Sequence, residues 1–400
     1  ARMVFDRHGN KKRHTFLRAM MRSAAKLSYE EAQAAIDGRP SAKSEPLLEP
    51  ALRPLWAAYA AVAAARDRRE PLDLNLPERK ILIDKDGRVE RVVSPERLTA
   101  HRLIEEFMIQ ANVAAAETLE ENRSPLVYRI HDAPSQEKLK ALKEFLETLD
   151  MKIPHSGQLK PEAFNVILAK AKDLPVPELV NEVVLRSQSQ ADYRRQNAGH
   201  FGLHLARYAH FTSPIRRYAD LVVHRSLVSA LKLGDGGLDP AETGRLDEVC
   251  RQISEAERRA MAAERETVDR LIAAHLSDRI GAEFPARISG VTRSGLFVRL
   301  ADTGADGRVR GVKVERLRWE HDRMGHSRMD RTGDVTTLPA DLVFLAIGFV
   351  GHDAPEAAKQ LERGPWFLNA SLGTAVSRTT TVPCSPSAAG ASPLSARPGT

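Results

Sequence analysis

Only two cysteines occur in these 400 residues, Cys250 and Cys384, and they lie far apart. No disulfide framework and no zinc-ligand spacing can be built from them, which suits a reducing compartment. Aromatic residues are scarce, at 5%. No apolar run approaches the roughly 20 residues that a membrane helix needs, so no membrane association is expected. The opening Ala1-Arg2-Met3-Val4-Phe5-Asp6 lacks the apolar core of a secretory signal and reads like the middle of a domain. Acidic residues stop altogether after Glu362. The remaining Ser, Thr, Pro, Ala and Gly cannot bury a core, so a disordered tail is expected there.

What the chain does have is concentrated. From Ala191 to Arg225 there are five Tyr or Phe (Tyr193, Phe201, Tyr208, Phe211, Tyr218), six Arg and four His, against only Asp192 and Asp220. Rings interleaved with guanidinium groups suit a single-stranded polynucleotide, because rings stack on bases and Arg forks hold phosphates. The overall charge of +7 leans the same way, weakly.

Coarse periodicity places the elements. Residues 11–38 suggest a strand and then a helix entering at Ser28, with Glu31 completing a capping box. Residues 46–70 carry Leu, Ala and Trp at helical spacing. A hairpin is expected over 80–93 around Asp84-Lys85-Asp86-Gly87. A long helix follows from about Pro95 to Glu121, and others near 134–149, 160–171, 214–233 and 240–278. Near Ile280 the pattern changes to alternation over 284–300, the start of a small OB-type barrel.

Four segments in this order resemble the ribonuclease R and ribonuclease II family of 3′→5′ exoribonucleases. They are Met21-Arg22-Ser23-Ala24-Ala25-Lys26-Leu27-Ser28-Tyr29; Leu103-Ile104-Glu105-Glu106-Phe107-Met108-Ile109-Gln110-Ala111-Asn112; Val183-Val184-Leu185-Arg186-Ser187; and Gly199-His200-Phe201-Gly202-Leu203 through Thr212-Ser213-Pro214-Ile215-Arg216-Arg217-Tyr218-Ala219-Asp220-Leu221. The likeness runs from about Met3 to Asp306, with the ribonuclease R branch the nearer. It implies hydrolysis of single-stranded RNA to nucleoside 5′-monophosphates, dependence on Mg²⁺, a cytoplasmic setting and a monomer.

Matched residue by residue, the resemblance implies that Arg216 contacts the scissile phosphate. Tyr29 would sit near the terminal nucleotide. Glu105 would contact a terminal sugar, where the 2′-hydroxyl separates RNA from DNA; Glu106 is its neighbouring candidate. Asn112, His210, Ser213, Arg217 and Tyr218 are further candidate RNA contacts, as are Arg293 and Phe297 of the OB region. Each has a plain structural alternative. Tyr29 opens a helix and could be core, helix carboxylates are usually solvated, Arg217 is more structural than Arg216, and the window's histidines lack His-Glu-x-x-His spacing.

The family's metal centre is a cluster of aspartates that should precede Met21, where only Asp6 stands. Asp84 and Asp86 belong to a hairpin turn. No metal ligands are therefore assigned, and the chain is expected to be N-terminally truncated and inactive by itself, or a binding-only module for single-stranded RNA. Residues 311–353 resemble part of the glutamate synthase small subunit, through Val314-Glu315-Arg316-Leu317-Arg318-Trp319 and Leu338–Phe349. This raises a flavin- and NAD(P)-dependent oxidoreductase fragment as a second alternative, although no Gly-x-Gly-x-x-Gly loop is present. The expected architecture is α+β: a partial, helix-rich RNB-type catalytic domain over 1–279, an incomplete OB barrel over 280–310, an oxidoreductase-like strand segment over 311–362 and the disordered tail over 363–400.

Overall fold

The chain opens on a hairpin whose turn is written into Asp6-Arg7-His8-Gly9-Asn10. β1 (Arg2–Phe5) pairs antiparallel with β2 (Lys11–Thr15). The Asp6 carboxylate accepts the backbone N–H groups of His8 and Asn10, each at 2.9 Å, and these bonds hold it well below the usual carboxylate range. Gly9 is obligatory: its φ is +77°, and a Cβ there would lie 2.0 Å from the Ala61 carbonyl oxygen. The computed structural model describes residues 1–74, 79–151, 160–174, 177–279, 282–292, 295–308, 311–321 and 327–339.

The expected capping box is present at α1 (Tyr29–Ile36). Ser28 Oγ accepts the Glu31 N–H at 3.1 Å, and Glu31 Oε2 accepts the Ser28 N–H at 2.7 Å. α2 (Glu45–Leu47) passes through a π-turn at Leu48–Leu52 into α3 (Arg53–Arg69). The hairpin over 80–93 forms as β3 (Lys80–Ile83) and β4 (Val89–Val93). The long helix is α4 (Thr99–Glu121), with β5 (Tyr128–Ile130), α5 (Gln136–Glu147), α6 (Pro161–Ala171), α7 (Pro177–Ser187) and β6 (Asp192–Arg194) after it. β6 pairs antiparallel with β5, a pairing of short strands across some sixty residues that no local signal announces. α8 (Tyr218–Ala230), α9 (Pro240–Gly244) and α10 (Leu246–Ser277) complete the helices. The expected helix from 214 starts four residues later, because Arg216 and Arg217 both turn back on the Ser213 carbonyl and Arg217 stays extended.

Two compact units make up the chain, 1–78 with 95–262 and 79–94 with 263–400. In the first unit α4 is the central element. Its Ala114, Ala115, Ala116 and Leu119 are fully buried and pack with Phe16, Leu126, Tyr128, Ile130, Val223 and Leu227. The run of three alanines is small enough for α8 to come close. A second core joins α5, α6 and α7 through Leu142, Leu146, Phe164, Ile167, Val180 and Val184.

The second unit differs from the division expected at Ile280. The β3–β4 hairpin belongs to it: Ile81 and Val92 pack on Ile272, Leu276 and Leu300. β7 (Ala286–Thr292), β8 (Gly295–Leu300) and β9 (Asp306–Arg308) form an antiparallel sheet in that order, with Arg299 facing Asp306 across the strands in a two-pronged ion pair at 2.9 and 3.0 Å. Among the described residues these three strands do not close into a barrel. β10 (Gly311–His321) and β11 (Ser327–Pro339) form a separate two-stranded sheet. The rest of the expected strand segment over 311–362 and the whole tail lie, after Pro339, outside the described residues.

Candidate functional site

A cleft of about 180 Å³ opens in the first unit between α4 and the turn before α8. Glu105, Met108, Ile109 and Asn112 line it from α4, at the 3–4-residue spacing of one helix face. Tyr208, Thr212, Ser213, Arg216 and Arg217 line the other side. Five of the eleven candidate residues thus share one cleft, although the two segments stand about a hundred positions apart.

Asp220 organises the turn. It is fully buried and accepts the Ser213 N–H at 2.7 Å. Its carboxylate also takes the Arg217 guanidinium through Nη2 at 2.8 Å and Nε at 2.7 Å. Arg217 is therefore committed to a buried carboxylate, whereas Arg216 is exposed and makes no hydrogen bond or ion pair through its guanidinium among the described residues. The adjacent arginines thus differ in partners: Arg217 holds Asp220, and the Arg216 side chain is free of any among the described residues.

Glu105 and Glu106 separate in the same way. Glu105 faces the cleft and pairs with Arg97. Glu106 is 2% exposed, turned inward, and accepts from Gln110 at 3.0 Å and from Arg69 of α3 at 3.5 Å. Its place is structural rather than at the cleft wall.

Two other candidates are likewise committed internally. Asn112 is buried, donates to the Tyr208 hydroxyl at 2.9 Å and accepts the Phe211 N–H at 2.8 Å. It ties α4 to the 208–211 segment and so braces the wall. His210 shares a 2.8 Å hydrogen bond with the Tyr193 hydroxyl, and burial, helped by Arg217, pushes its pKa down to about 2. A neutral ring held by Tyr193 is a poor phosphate ligand. His131 and His200 lie ring to ring, with centroids 5.1 Å apart, and burial brings His200 down to about 3.

Tyr29 is not in the cleft lining; it stacks on His101 of α4, with ring centroids 4.0 Å apart. Tyr218 opens α8 and is half exposed. Phe297 lies on β8 in the second unit, paired with Gly290 and Arg308, and Arg293 falls outside the described residues. Sequence reasoning missed Tyr208 and Asp220 as wall-builders. An acid three residues after an arginine, at i and i+3 of a helix start, was the available signal for Asp220.

The RNB domain family matches residues 1–233. Ribonuclease R of Aquifex aeolicus is 38% identical over 339 residues, covering 84% of this chain and 48% of that protein. The chain belongs to the ribonuclease R branch of the RNB family. Ribonuclease R of Escherichia coli is 33% identical over 362 residues, 88% of this chain and 44% of its own length. The chain thus spans about half the length of the curated ribonuclease R relatives it matches. Among solved structures, RNase R of Mycoplasma genitalium in complex with ribose methylated single-stranded RNA superposes with a TM-score of 0.73 at 26% identity, over 84% of this chain and 53% of that one. The Escherichia coli match is too long to stop at Asp306 and runs into residues 311–353, and the glutamate synthase resemblance finds no support beside it.

The RNB family implies a divalent metal. Among the described residues no group of three or more His, Cys, Asp or Glu side chains is placed to hold one. Asp84 is occupied by its own turn, accepting the N–H groups of Asp86 and Arg88 at 2.9 and 2.8 Å. The donors among the described residues do not fit a metal. No described helix is long and apolar enough to cross a membrane.

Proposed function

We propose that this chain carries the strand-gripping wall of a 3′→5′ exoribonuclease acting on single-stranded RNA, and that by itself it binds the strand without cutting it. The reading rests on one observation: Arg216 stands exposed and unpaired among the described residues, in a cleft whose opposite wall presents Glu105. A guanidinium fork suits a phosphate. A carboxylate suits the hydroxyls of a ribose, including the 2′-OH that marks RNA. Asp220 keeps the Ser213 turn and Arg217 in place, so Arg216 is presented by a rigid loop.

In this reading Arg216 holds the phosphate, and Tyr29 and Glu105 hold the terminal nucleotide. Tyr218, Phe297 and Arg293 contact the strand elsewhere. The full enzyme releases nucleoside 5′-monophosphates with Mg²⁺ in the cytoplasm, and the chain acts as a monomer.

The test is a 5′-labelled single-stranded RNA incubated with the protein and Mg²⁺, read by anisotropy and by a sequencing gel. Salt-sensitive binding with an intact label length is the expected result. Stepwise shortening would overturn the binding-only clause, and no binding at low salt would overturn the whole reading.

A further inference from the structure

α4 begins without a cap of its own. Its N-cap is Leu98, whose side chain accepts no hydrogen bond, so the first N–H groups of the helix need partners from elsewhere. One comes from α1: Gln33 Oε1 accepts the Ala100 N–H at 3.0 Å. One residue on, the ring of His101 lies against Tyr29, the first residue of α1, with an interplanar angle of 28°. The two helices are thus joined by a cap and a stack within a single turn.

The same stretch reaches the cleft. Arg97, His101 and Glu105 follow at intervals of four. His101 and Glu105 lie one turn apart on α4, where side chains are neighbours at roughly 5–6 Å. Arg97, just before the helix, pairs with the Glu105 carboxylate. Neither ring nitrogen of His101 hydrogen-bonds a described residue, and Nδ1 is buried. The imidazole therefore acts through its face, as a flat surface for Tyr29. Tyr29 remains 42% exposed and still has ring surface for a base.

We infer that Arg97 and His101 are positioning residues: together they fix the Tyr29 ring and the Glu105 carboxylate relative to each other, so that the two grip one terminal nucleotide as a unit. This rests on the assignment of Tyr29 and Glu105 to the RNA 3′ end made above. Arg97 holds the carboxylate toward the cleft mouth, and His101 sets the distance from that carboxylate to the stacking ring. A strand whose last sugar lacks the 2′-hydroxyl loses the Glu105 contact, so discrimination between the two ends reports the alignment rather than general RNA affinity.

The experiment compares affinities of the full chain for two oligoribonucleotides that differ only in a ribose or a 2′-deoxyribose at the last position. Wild type is expected to prefer the ribose end. His101→Ala and Arg97→Gln should each lower that preference about three- to tenfold, the range of one aromatic or ionic contact, while affinity for an oligonucleotide with a blocked 3′ end stays unchanged. His101→Phe keeps the stack and should keep the preference. Arg97 is exposed enough for its loss to leave the thermal melt unchanged, which covers the case of a His101→Ala protein that does not fold. If wild type discriminates and both Ala and Gln variants discriminate equally well, the inference is overturned while the assignment of Tyr29 and Glu105 stands. If His101→Phe loses as much as His101→Ala, the stack is not the cause and the inference again fails. If wild type itself shows no preference, the assignment of the two residues falls, and the positioning role with it.

Discussion

Arg217 and Asp220 form a buried ion pair, the arginine reaching the fully buried carboxylate through Nη2 at 2.8 Å and through Nε at 2.7 Å. The same carboxylate holds the Ser213 N–H. Removing one partner of a buried pair leaves the other charge without compensation and costs roughly 3–5 kcal/mol. Asp220→Ala should therefore lower the denaturation midpoint severely, and Arg217→Ala should do so less, because Asp220 keeps the Ser213 bond. Equilibrium unfolding in urea checks the order of the two; equal midpoints would contradict it.

Arg216, one residue away, predicts the opposite phenotype. It has no described partner to lose, so Arg216→Ala should leave stability within about 0.5 kcal/mol of wild type. It should weaken binding to all single-stranded RNA sequences and reduce the slope of log affinity against log salt by about 1. A titration at several salt concentrations measures that slope.

The brace between α4 and the 208–211 segment gives a third prediction. Asn112→Ala orphans the Phe211 N–H and the Tyr208 hydroxyl, at a cost of about 1–3 kcal/mol. Tyr208→Phe removes only the hydroxyl and should cost less. Denaturant midpoints at an unchanged m-value distinguish the two.

The buried histidines make stability depend on pH. Unfolded, His200 and His210 take up protons near 6.5; folded, they do so only near 3 and 2, because burial disfavours the charged ring. Between those values the unfolded chain binds more protons, so stability is full above about 6.5 and falls as pH drops. Thermal melts from pH 8 to pH 4 should show this decline, and His210→Gln should make it shallower.

Much of the site was legible in the chain before its folding. The Thr-Ser-Pro-Ile-Arg-Arg-Tyr turn and the Leu-Ile-Glu-Glu-Phe-Met helix do meet at one cleft, and the capping box and the 80–93 hairpin form because their signals are local. What was not legible depends on distant partners. Glu105 and Glu106 are told apart by burial and by partners, among them Arg69, which reaches Glu106 from another helix. The polarity of His210 and Asn112 is visible in sequence, while the Tyr193 hydroxyl, the Tyr208 hydroxyl and the Phe211 amide that they bond are not. The partnership of β3–β4 with the end of α10 is equally remote, resting on apolar packing across nearly two hundred residues.

That hairpin has a practical consequence for dissection. The backbone passes between the two units three times, after residues 78, 94 and 262, so no single cut yields two intact pieces. A chain ended at Ala262 would keep Ile81 and Val92 but lose Ile272, Leu276 and Leu300, leaving a lone two-stranded ribbon with its apolar face bare. A self-contained first unit made by protein engineering would need residues 79–94 excised and Glu78 rejoined to Pro95, together with the shortening after Ala262.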